Sequence, residues 1–148
     1  MTEQHPVRKV VVKRRFDHPP GAVFDAWLDP EAVGTFLFAT PGGVMKKLEI
    51  DPRVGGKLEI AEQRGETLAR HVGEYLEIDR PRRLAFTFAF INHDTDEITP
   101  SRVTVEISPD GDGAMLTLVH EGVWADYQDR TIQGWTMILD ALARTLRG

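Results

Sequence analysis

The sequence predicts an α+β domain in which one long carboxy-terminal helix lies across a curved antiparallel sheet of about six or seven strands. Three observations carry this. Ile132, Trp135, Leu139, Leu142 and Leu146 recur at spacings of three, four, three and four, the stripe of a helix with 3.6 residues per turn. Between Lys47 and Glu121 the apolar period is two instead, as in half-buried strands. Helical and strand segments are also segregated along the chain rather than alternating, which selects α+β over a parallel α/β sheet.

Met1 to Pro6 reads as a flexible tail, and residues 7–148 as one domain. Val7 to Phe16 is a strand with Val10, Val12 and Phe16 on one parity. Its basic run, Arg8, Lys9, Lys13, Arg14 and Arg15, suits a solvated edge strand protected by charge. Pro19-Pro20-Gly21 turns the chain into a short helix carrying Val23, Ala26 and Trp27, and Pro30 stops it. Asp29-Pro30 starts a second short helix through about Thr35. Phe36-Leu37-Phe38 leads into a Pro and Gly loop at Ala39 to Gly43.

The strands follow. Leu48 and Ile50, then Leu58 and Ile60, make a hairpin around Asp51 to Gly56, and Gly65 marks the next turn. Leu68 to Ile78 is a long strand, with Val72, Leu76 and Ile78 on one face and His71, Gly73 and Tyr75 on the other. Leu84 to Phe90 places Phe86, Phe88 and Phe90 on one parity, suited to packing against the long helix. Asn92 to Ser101 is a polar connection. Val103, Val105 and Ile107 form a strand, Asp110 to Gly113 a tight turn, and Met115 to Glu121 the last strand. The long helix runs from about Asp126 to Leu146, about 30 Å, with Asp126 or Asp129 as its cap and Gln133, Asp140, Arg144 and Arg147 off the apolar stripe. Gly134 is out of place in mid-helix and suggests close approach by a neighbouring element or a bulky occupant.

Composition narrows the function. With 148 residues, 41% hydrophobic and 28% charged, the chain is an ordinary globular domain with room for a real core. A net charge of −5 disfavours nucleic acid as a partner. The absence of Cys excludes disulfides, thiolate catalysis and Cys-based zinc sites. The first residues carry no apolar signal core and no run reaches membrane-spanning length, so a cytoplasmic protein without membrane insertion is expected.

Several of these motifs resemble one family. Arg15-Phe16, Pro20 with Val23 to Trp27, and Asp29-Pro30-Glu31 are similar to its opening. Asp51-Pro52-Arg53-Val54-Gly55-Gly56 resembles its D-x-R-x-G-G turn, and Gly73 to Ile78 before Pro81 to Leu84 its G-x-Y-x-E-I stretch. Gly134-Trp135 completes the pattern. Over about Val7 to Leu146 the chain resembles the START-like (SRPBCC) superfamily, in the branch named after the activator of heat-shock chaperone ATPase. That resemblance implies a helix-grip fold with an apolar cavity between sheet and long helix, closed at one end by the two short helices and their loop. Thr35-Phe36-Leu37-Phe38 stands where the family often has a Trp pair, so the cavity mouth would be lined differently. The eukaryotic activator carries a further amino-terminal domain that engages the chaperone, for which these 148 residues would leave no room, so chaperone activation is not the expected function.

The expected function is therefore a binding module for a small hydrophobic or amphipathic molecule, as a monomer or homodimer. Its cavity residues would be Trp27, Phe36, Phe38, His71, Tyr75, Phe88, His120 and Trp135. No cofactor and no metal is implied. His5, His18, His71, His93 and His120 offer no ready metal pair, and the acidic run at Asp94 to Glu97 matches no calcium loop. An inward His, Tyr or Glu would admit a cyclase or hydrolase-type enzyme, but no base–nucleophile constellation accompanies it, and no catalytic residue is assigned. An exposed apolar patch near Met137 would favour a surface partner or dimer, and a chaperone partner has only the family name behind it.

Overall fold

The computed structural model describes residues 7–37, 43–91, 101–124 and 128–147. Seven strands form one antiparallel sheet: β1 (Val7–Phe16), β2 (Val44–Ile50), β3 (Lys57–Arg64), β4 (Thr67–Asp79), β5 (Arg83–Ile91), β6 (Ser101–Asp110) and β7 (Gly113–Trp124). Their order is β1-β7-β6-β5-β4-β3-β2, so every neighbour after β2 except β1 comes from a hairpin, and β1 closes one edge beside β7. The helices are α1 (Pro20–Ala26), α2 (Pro30–Phe36) and α3 (Gln128–Arg147).

The short helices start where the prolines place them. Pro30 sits in the first turn of α2, where its missing N–H costs nothing, and the Asp29 carboxylate accepts from the Glu31 N–H at 3.1 Å. In α3 the stripe does what its spacing requires. Trp135, Leu139 and Leu142 are buried, Leu146 packs partly against the core, and Ile132, at 37% exposed, lies at the rim. Asp129 is the acidic residue of the first turn; Asp126 lies outside the described residues, as does the loop at 38–42. The helix lies over β1 and β7 and against α2. Arg14 Nε to Asp140 Oδ1 at 3.0 Å ties it to β1, and the Thr35 and Thr145 hydroxyls, 2.7 Å apart, tie it to α2.

The two sheet faces differ as expected of an antiparallel sheet covered on one side. Val10, Val12, Phe16, Leu58, Ile60, Leu84, Phe86, Val103, Val105, Leu116 and Leu118 point inward and are buried. The outer face carries a cross-strand ladder: Lys57–Glu74, Arg70–Glu59 with Lys47–Glu59, and Arg83 between Glu77 and Glu106. Such exposed pairs add little stability, but they keep the face wet.

Two expectations are corrected. Ile78 does not share a face with Val72 and Leu76. A bulge between Tyr75 and Glu77 shifts the register, turning Ile78 inward opposite Leu84. Gly134 is not kept for close approach, since a Cβ added there would meet nothing within 4 Å. Gly134→Ala should therefore raise stability by up to about 1 kcal/mol, because only the helix propensity changes. Urea melts of the two proteins check this; a loss of stability would restore a packing role for the glycine.

The Asp51 to Gly56 turn has a defined task. Gly55 adopts φ +85°, and a Cβ on Gly56 would collide with the Asp51 carbonyl. The Gly55 N–H donates to the Tyr75 carbonyl, and the Tyr75 N–H to the Gly56 carbonyl, both at 2.9 Å. The turn thus docks on β4 and fixes where Tyr75 points.

Candidate functional site on the inner face of the sheet

Cross-strand register gathers the polar inner residues at one end of the sheet. His120 on β7 pairs with Val103 on β6, which pairs with Phe86 on β5, which pairs with Tyr75 on β4. One step along each strand in the same facing set come Ser101, Phe88 and Gly73, and beyond them His71 opposite Ile60. Trp135 of α3 descends on this end and is 2% exposed.

The bond between Trp135 and His120 fixes a protonation state. The Trp135 Nε1–H donates to His120 Nδ1 at 3.0 Å, the two rings meeting edge-on with centroids 5.8 Å apart. An indole nitrogen can only donate, so Nδ1 must offer its lone pair, and the proton of the neutral imidazole sits on Nε2. That N–H points at the Ser101 Oγ, 2.8 Å away. Burial independently pushes the His120 pKa down to about 4. A consequence follows for chemistry. A serine is activated by an imidazole nitrogen that can take its proton, and the nitrogen facing Ser101 already carries one. In this arrangement the imidazole holds the serine oxygen as an acceptor and does not generate a serine nucleophile.

His71 and Tyr75 both face inward, which settles the side of β4 they occupy. Burial, followed by the nearby Arg64 charge, holds the His71 pKa down at about 3, and burial pushes the Tyr75 hydroxyl up to about 12. Both are neutral at pH 7. Beyond His71 lies a residue that sequence reasoning missed: Glu62 is 2% exposed and accepts from Arg64 Nε at 2.6 Å. Gly43 lies directly over this carboxylate, where a Cβ would overlap it. Glu62 shares the parity of Leu58 and Ile60, so the period of two carried far enough would have placed it inside. Ser101, the other omission, stands at the end of a polar stretch and gave no periodic signal.

Trp27 and Phe36 meet ring edge to face, with centroids 5.2 Å apart. Trp27 and Tyr75 both lie against Phe86, at 6.5 and 6.4 Å between centroids. The Trp27 Nε1–H is buried with no hydrogen-bond partner among the described residues. Phe38 lies outside the described residues, and for Phe88 only the strand position is described, opposite Gly73 and Ser101. Thus Trp27, Phe36, His71, Tyr75, His120 and Trp135 are all buried. Among the described residues no group of three or more His, Asp or Glu could hold a metal ion, and no helix is long and apolar enough to cross a membrane.

Comparison with known proteins gives the family. Protein CV1439 from Chromobacterium violaceum is similar at 29% identity, covering 97% of this chain and 99% of that one with a TM-score of 0.84. Mll3558 from Rhizobium loti (24% identity, 97% and 99% covered, TM-score 0.83) and a putative uncharacterized protein from Rhizobium leguminosarum (19%, 97% and 97%, TM-score 0.88) share the fold. No curated protein sequence matches the chain. Residues 17–147 match the model of the activator of Hsp90 ATPase homolog 1-like proteins, and the chain belongs to that family.

Proposed function

We propose that the protein binds a small hydrophobic or amphipathic molecule between α3 and the inner face of the sheet, at the end bounded by Trp27, Phe36, His71, Tyr75, His120 and Trp135. One observation carries this reading. Two neutral imidazoles, a neutral phenol and a serine are gathered among buried aromatic rings, at positions that a solid core fills with aliphatic side chains. Buried polar groups each require a partner, so such a cluster is retained at a loss of stability unless something is recognised there. The helix supports the same reading by its placement. It packs on β1, β7 and α2, and the inner positions of β3 and β4 lie several strands away from it.

Binding at such a site is driven by desolvation, at about 25 cal/mol per Å² of apolar area buried. Any ligand that fits raises the melting temperature by mass action, with about 2.7 kcal/mol of added stability at a hundredfold excess over Kd. A thermal-shift screen of apolar and amphipathic metabolites, followed by calorimetry, should therefore return stabilising compounds with one-to-one stoichiometry. A screen with no stabilising compound, together with an experimental structure whose inner face is solidly packed, contradicts the reading. It would turn attention to the exposed face of α3 around Met137, which is 58% exposed.

A further inference from the structure

Two features of the inner face define what it can hold, given the binding role proposed above, on which this inference rests. The first is an unmet donor. Trp27 is almost fully buried, yet its indole N–H has no partner among the described residues, and it is the one buried side-chain polar atom among them in that condition. Most buried polar groups in folded proteins are paired, and an orphan donor marks a place where an acceptor belongs. Its ring stands against Phe86, which Tyr75 also meets.

The second feature is charge. Arg14 and Arg64 have the inward strand parity, and each is bonded to a carboxylate, Asp140 at 3.0 Å and Glu62 at 2.6 Å; Arg8 shares that parity on β1. The inner carboxylate, Glu62, is engaged by the same pairing. His120 cannot become a cation without losing the Trp135 bond, since Nδ1 would then carry a proton facing another donor. The connecting segments 38–42, 92–100 and 125–127 contain no Lys or Arg in the sequence. A charged head group brought to this face would be desolvated while the Arg14 and Arg64 guanidiniums are already engaged by carboxylates.

We propose that the ligand is an uncharged aromatic or acyl molecule whose carbonyl-type oxygen accepts the hydrogen bond of the Trp27 indole N–H. The neutral Tyr75 hydroxyl and the Ser101–His120–Trp135 relay complete a lining that tolerates polar but not ionised substituents.

Three naphthalenes of nearly equal size separate the possibilities: 2-acetonaphthone offers a carbonyl, 2-ethylnaphthalene no acceptor, and 2-naphthoate an anion. Their dissociation constants are measured on the intact protein and on Trp27→Phe, which keeps an aromatic ring and removes the N–H. The acetyl compound should bind the natural protein about ten times more tightly than the ethyl compound, as one added hydrogen bond to a buried donor allows. The naphthoate should be the weakest. In Trp27→Phe the ratio of acetyl to ethyl affinity should fall to about one, whatever the substitution does to ethylnaphthalene binding itself. Equal or tighter binding of naphthoate, or an acetyl advantage that survives the substitution, overturns the inference but leaves the binding role standing. If none of the three binds, the binding role itself falls, and this inference with it. Should Trp27→Phe not fold, the indole N–H proton signal of Trp27 in the natural protein decides. It should move downfield with acetonaphthone and not with ethylnaphthalene, and an unmoved signal overturns the assignment.

Discussion

Lowering the pH from 7 to 4.5 is expected to destabilise the protein by about 5 kcal/mol, through His71 and His120 alone. Each imidazole in the unfolded chain takes up a proton near 6.5, but in the folded protein only near 3 for His71 and 4 for His120, because both are buried. Between those values the unfolded state holds more protons, so stability must fall as the pH falls. It does so at about 1.4 kcal/mol per pH unit for each histidine. The loss begins near 6.5 and ends near 4 for His120 and near 3 for His71. Two carboxylates held low by salt bridges work further down the scale: Asp25 by its bond from Arg80, and Glu59 by Arg70 and Lys47, against the opposing effect of burial. The measurement is the urea midpoint as a function of pH for the natural protein, His71→Gln and His120→Gln. Each substitution should flatten the slope between pH 6.5 and 4.5 by about half, whatever it does to stability at pH 7. Slopes unchanged by both substitutions would mean that the imidazoles are solvated and that this end of the sheet is open to water.

The second large effect lies in the helix. Leu139→Ala and Leu142→Ala should each destabilise by about 2–5 kcal/mol, the range for removing a fully buried leucine from a core that only partly collapses around the gap. Arg144→Ala, on the exposed side of the same helix, should change stability by less than about 0.5 kcal/mol. Denaturant melts of the three variants decide whether α3 presents the face its periodicity dictates. Equal losses in all three would contradict it.

The fold was legible because its signals are local and repeated. The stripe from Trp135 to Leu146, the parity of Val10, Val12 and Phe16, and the turn residues around Gly55, Gly65 and Gly111 each follow from backbone geometry within a few residues. What could not be read depends on exceptions to periodicity. The bulge after Tyr75 inverts the face of Ile78, and no residue there announces it. The candidate site was legible as a set of residue types but not as an arrangement. That His71 and Tyr75 face inward, and that His120 meets Trp135, are matters of pairing between strands and helix far apart in sequence. Gly134 misled for the opposite reason: a glycine in a helix invites a packing explanation, and the space beside it is open.

The central claim is that a ligand enters between α3 and the sheet at the Trp135 end. The indole N–H of Trp135 is a reporter placed there by the fold, since its bond to His120 Nδ1 is buried and only three tryptophans compete for the same spectral window. A stabilising compound from the thermal screen, titrated into uniformly ¹⁵N-labelled protein, should shift or broaden that signal and saturate at one equivalent. A ligand that raises the melting temperature while leaving the Trp135 indole unmoved, and instead perturbs the exposed face of α3 around Ile132 and Met137, would contradict the account.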